Sequence, residues 1–121
     1  MKPTVEQLFN SVQSKVPELK AAIFIGAAGE YEVHVAPDFQ LDAETFAAEY
    51  AALFRIARRT AEDTAMGDAF EQILISDKAV LVARRFGRND VAVFVCGAGH
   101  QLGRLRYEIR LLAQHPITSV A

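Results

Sequence analysis

The 121-residue sequence has a single cysteine, Cys96. One thiol cannot staple a fold, and a cysteine-based zinc site needs several ligands. A reducing, cytoplasmic location is therefore expected. The first residues, Met1-Lys2-Pro3-Thr4-Val5, do not form the basic stretch and apolar run of a secretory leader. No segment reaches the ~18 uninterrupted apolar residues of a membrane span. Neither sign of charge is in excess. With 13 basic and 15 acidic residues the formal net charge is −2, which gives no overall pull towards nucleic acid or an anionic membrane. Repeats and low-complexity tracts are absent.

What is there reads as a globular chain. Hydrophobic residues make up 51% and charged residues 23%. The length suits one domain over residues 1–121, able to bury roughly two thirds of its unfolded surface.

Thr4 and Gln7 have capping-box spacing, and Val5, Leu8, Phe9, Val12 and Val16 recur at helical intervals. A helix from about Val5 to Lys15, ended by Pro17, is expected. The apolar run 21–27 suits a strand covered on both faces. After the Ala28-Gly29 turn, Tyr31, Val33 and Val35 alternate with Glu32 and His34, which completes a hairpin. A long helix follows from Asp42 to about Met66, with Gly67 at its C′ position. Strands are then expected over 70–76, 79–86 and 91–96, with turns at Asp77-Lys78 and at residues 87–90. A last helix runs from His100 to Gln114, stopped by Pro116.

Short turns make neighbours antiparallel, and the two wholly apolar strands should be central. The expected architecture is α/β (α+β), a three-layer sandwich. Its five-stranded antiparallel sheet has the order 2-1-5-4-3, with one long helix on one face and two helices on the other.

On a helical wheel the long helix carries an apolar arc of roughly 160°, wider than the ~100° needed to lie on a sheet. Phe46, Tyr50, Leu53 and Ala57 form its centre, and Ala43, Ala47, Ala51, Phe54 and Ala61 extend it. Alanine is a good helix former, and it also lets a second helix approach closely. On the second reading, Phe46, Tyr50, Leu53 and Ala57 hold the helix to its own sheet. Ala47, Ala51, Phe54 and Arg58 then face a twin, joined by Ile73 and Ile75 of an apolar edge strand that needs covering or pairing. Arg55, Arg59 and Glu62 remain at the surface. They are either a solvated face with intrahelical ion pairs or a strip that meets an acidic partner.

Other signals carry little. Gly97-x-Gly99-x-x-x-Gly103 suggests a phosphate loop, but no strand follows it and no acidic residue stands ~20 positions on. His34, His100 and His115 are scattered, without metal spacing. Cys96 has no activating partner in sequence. Asp38, Asp42 and Glu44 fit helix capping. No catalytic residue, metal or cofactor is expected.

This order of elements resembles the Roadblock family of dynein light chains, which includes bacterial MglB-type regulators of small GTPases. The resemblance spans about Ala22 to Ala113. It rests on the strand and turn 22–29, the alanine-rich segment 46–53, the Met66-Gly67 junction, and the Leu102-Gly103-Arg104-Leu105-Arg106 start of the last helix. It implies a homodimer without catalysis of its own. The implied partner is a small Ras-like GTPase of the MglA type, whose GTP hydrolysis it promotes by reshaping the GTPase. Two other roles stay open: a non-catalytic scaffold subunit of a larger complex, and a small-ligand sensor domain.

Overall fold

The structure is a computed structural model that describes residues 4–87, 89–97 and 102–113. Helix α1 spans Val5–Gln13. The Thr4 hydroxyl accepts the Gln7 N–H at 3.1 Å, and the Gln7 side chain accepts the Thr4 N–H at 2.9 Å. Both ends of this capping box satisfy N–H groups that a helix start leaves open. Strands β1 (Leu19–Ile25) and β2 (Tyr31–Val35) form the hairpin. Helix α2 covers Ala43–Asp63. Strands β3 (Glu71–Ile75), β4 (Ala79–Phe86) and β5 (Asp90–Gly97) follow, then helix α3 over Leu102–Ala113.

The sheet order is β2-β1-β5-β4-β3, with every neighbouring pair antiparallel, as expected. Apart from Lys20 and Asp90 near their starts, β1 and β5 are built of apolar residues and glycine because both of their faces are covered. Leu19, Ala22 and Phe24 of β1, and Ala92, Phe94 and Cys96 of β5, pack under α1 and α3 through Phe9, Val12, Leu105 and Ile109. The alternate residues Ala21, Ile23, Ile25, Val91, Val93 and Val95 pack under α2. Two cores thus share one sheet, and period-two alternation sorts each strand between them. Glu71, at the start of the edge strand, is gripped by Arg106 of α3, whose Nε donates at 2.7 Å. Arg84 of β4 lies 3.7 Å from its other oxygen.

Element ends differ from expectation in two informative places. Helix α2 stops three residues early. The Thr64 hydroxyl donates to the Thr60 carbonyl at 2.7 Å, Ala65 takes the C′ position at φ 60°, and the N–H groups of Ala65 and Met66 close on Glu62 and Ala61. This is a Schellman end built on alanine. Gly67, at φ 86°, makes a second left-handed turn beyond it. The first strand starts two residues early and the hairpin turn begins at Gly26. A Cβ at Gly26 would stand 2.5 Å from the Glu30 carboxyl carbon. His100, Gln114 and Pro116, expected to bound the last helix, lie outside the described residues.

Candidate docking surfaces on the long helix

Asp42 caps α2: its two carboxylate oxygens accept the N–H and the hydroxyl of Thr45, at 3.2 and 2.8 Å. These hydrogen bonds hold its pKa below the ordinary carboxylate value. Asp38 is not part of that cap. It pairs with Lys20 at 2.8 Å and thereby ties the loop to β1.

The face that α2 turns to the sheet is rotated from the expected one. Ala47 and Phe54 are only 2 and 4% exposed, and with Tyr50 they form the buried stripe. Ala47 and Phe54 therefore do not stand free for a twin, and Ala51 is half-buried. Leu53, expected beneath the helix, is 40% exposed and Ile56 is 60% exposed. The physical reason is packing. Ala47 lets the helix settle close to the strands while Tyr50 and Phe54, one turn apart, bury the larger area. Phe46 stacks on Tyr50 with ring centroids 5.5 Å apart, and the buried Tyr50 hydroxyl has no hydrogen-bond partner among the described residues.

Two grooves result, one along each flank of α2. The first, about 650 Å³, runs between α2 and strands β3 and β4, with Phe46, Leu53, Ile56, Leu74 and Leu81 in its lining. Leu74 pairs in register with Leu81 and shares the α2 face of the sheet. Ile73 pairs with Val82 and so turns to the opposite face, with Ile75 beside it. Ile75 is 65% exposed on the free edge. Leu53, Ile56 and Leu74 were missed as surface residues. Their signal was the i, i+3 apolar pair next to the Ile73-Leu74-Ile75 edge.

The second groove, about 480 Å³, is lined by Ile25, the 26–29 turn, Ala51, Phe54, Arg55, Arg58, Asn89 and Val91. The structure brings Arg55 and Arg58 together here, whereas Arg59 and Glu62 are exposed outside both linings. Arg58, expected beside Ile73 and Ile75, lines this groove. Nothing in the sequence placed the 26–29 turn and Asn89 beside these arginines.

Among the described residues no group of histidine, cysteine and carboxylate side chains has the grouping of a metal site. His34 lies against Phe9 at 4.6 Å between ring centroids; His100, His115 and Gly99 lie outside the described residues. Cys96 is buried. Burial, helped by the Glu18 charge, pushes its thiol up to about 11, the opposite of an activated nucleophile. No helix among the described residues is long and apolar enough to cross a membrane.

A five-stranded antiparallel sheet in this order, with α2 alone on one face and α1 and α3 on the other, is the architecture of Roadblock/LC7 domains. The gliding protein MglB from Thermus thermophilus superposes with a TM-score of 0.80 over 97% of this chain and 90% of that one, at 14% identity. A Roadblock/LC7 domain from Streptomyces avermitilis gives 0.75, at 22% identity and coverage of 88% and 89%. An MglB in a tetrameric arrangement gives 0.76, at 15% identity and coverage of 94% and 88%. No protein-family model and no curated sequence matches the chain. The chain therefore has an MglB-like Roadblock fold.

Proposed function

We propose that the chain is a cytoplasmic homodimeric regulator or adaptor. It binds a small Ras-like GTPase of the MglA type and modulates GTP hydrolysis without supplying a catalytic residue. The observation that carries the reading is the apolar flank of α2, where Leu53, Ile56 and Leu74 stand exposed next to the free edge of β3. A continuous apolar face of this kind marks an interaction surface. A two-fold axis there would lay two α2 helices antiparallel and pair two β3 edges, removing both liabilities at once.

In this reading Ile73 and Ile75 keep their interface role and are joined by Leu53, Ile56 and Leu74. Arg55, Arg59 and Glu62 supply polar surface for the GTPase. The MglB-like fold supports that partner, since the resemblance to MglB-type regulators is what pointed to it. Light scattering at micromolar concentration should return a dimer mass; a clean monomer overturns the dimer. The hydrolysis rate of an MglA-type GTPase should change when the chain is added. An unchanged rate and no binding overturn the regulator, and binding at an unchanged rate leaves a scaffold.

A further inference from the structure

The second groove is not an extension of the apolar seam. Its floor is core: Ile25, Phe54 and Val91 are all buried. Its rim is cationic. Arg55 and Arg58 are one helical turn apart and both line it. Neither makes an ion pair or hydrogen bond among the described residues. The intrahelical pairs that Glu62 could form with Arg58 or Arg59 are not made, so the solvated-face reading loses its ion pairs. Two like charges at this spacing repel until an anion sits between them.

We infer that this groove takes an extended segment of a partner protein in which an acidic residue stands next to an apolar one. The carboxylate lies between Arg55 and Arg58, where guanidinium groups give charge-assisted hydrogen bonds. The apolar side chain lies over Phe54 and Val91, in the space that the small side chain of Ala51 leaves open. A phosphate or nucleotide fits less well. Three of the four turn N–H groups that could cradle it are already used: Gly26 N–H donates to the Glu30 carbonyl, Gly29 N–H to the Gly26 carbonyl, and Ala28 N–H to the Glu30 carboxylate at 2.9 Å. The groove also meets the side of α2 and not its N-terminus, where anions find free donors. The inference deepens the docking reading of Arg55 and rests on it; it does not need the dimer seam.

The test uses the whole chain and a short fluorescein-labelled peptide of alternating glutamate and leucine. Fluorescence anisotropy should rise on binding. Amide signals of Gly26, Gly29 and Asn89 should shift in nitrogen-15 spectra. The Arg55→Gln/Arg58→Gln double variant should weaken binding roughly tenfold or more. Ala51→Leu, which fills the groove without touching either charge, should weaken it too, and so should glutamine in place of the peptide's glutamate. The inference is overturned by any of four results: no binding at millimolar peptide, affinity unmoved by the double variant, shifts confined to other surfaces, or inorganic phosphate alone giving the same shifts and displacing the peptide. If the peptide test fails while the double variant still dimerises and still alters the GTPase, the groove assignment has failed and the proposed function has not. Peptide binding by a chain that leaves the GTPase untouched separates them the other way.

Discussion

The two flanks of α2 belong to one helix, yet they solve different problems. The flank carrying Phe46, Leu53 and Ile56 has Asp42, Thr45 and Glu49 beside its apolar side chains, but only exclusion of water over a sizeable area relieves the exposure of those apolar side chains. The flank carrying Arg55 and Arg58 is well solvated on its own and gains from a partner only when an anion arrives. Stable interfaces are the more apolar ones, and reversible contacts keep polar rims. The difference teaches that a single helix can hold a lasting partner on one side and a passing one on the other.

The sharpest way to break this comparison is at the residue where the flanks divide. Phe54 is buried and Leu53, its neighbour, is not. Phe54→Ala should cost about 3–5 kcal/mol in urea unfolding, the range for an aromatic removed from a core. Leu53→Ala, measured at a dilution where the chain is monomeric, should cost under ~1 kcal/mol. A larger loss for Leu53→Ala than for Phe54→Ala would mean that α2 sits in the orientation first expected, with Leu53 beneath it.

A smaller effect separates association from folding. Leu53→Glu/Ile56→Glu places two charges in the apolar flank and leaves the buried stripe alone. The dimer dissociation constant should rise at least about 100-fold, which is about 2.7 kcal/mol. Far-ultraviolet circular dichroism should stay unchanged. An intact dimer in light scattering would show that the seam lies elsewhere.

The sheet order was legible because it follows from local features. The apolar run in β1 and that in β5 demand cover on both faces, and three short turns fix their neighbours. The phase of α2 was not legible. An arc of roughly 160° accommodates several seatings on a sheet, and the choice between Leu53 and Phe54 depends on how the strands below are spaced. The basic groove was half legible. Arg55 stood out as a surface cation, while Ala51, Phe54 and Arg58, expected to face a twin, line the same groove. The groove's other wall, the 26–29 turn with Asn89, joins it only through tertiary structure. The cap at Asp42 was read correctly from spacing alone, while Asp38 found a distant lysine that no local pattern reveals.

Salt should tell the flanks apart more gently. The Debye length falls from ~30 Å at 0.01 M to ~3 Å at 1 M salt. Peptide affinity for the Arg55 and Arg58 groove should drop several-fold across a titration from low to high salt. The dimer should change less, because apolar burial is not screened by salt. An equal salt response in light scattering and in anisotropy would show that the two surfaces do not differ in kind.

Ala51→Glu gives the most discriminating small change. With Ala51 on the twin-facing side, as first expected, this substitution would split the dimer. Its observed place beside Arg55 and Arg58 in the basic groove gives the opposite outcome. A glutamate at 51 stands four residues before Arg55, the favourable order for a helical ion pair worth about 0.3–0.5 kcal/mol. Chain stability should therefore stay within ~0.5 kcal/mol of the parent, and the dimer mass should be kept. The new carboxylate would occupy the position inferred for the partner's acidic residue, so peptide binding should fall even though both arginines remain. A split dimer with unaltered peptide binding would return Ala51 to the seam and exchange the roles of the two flanks.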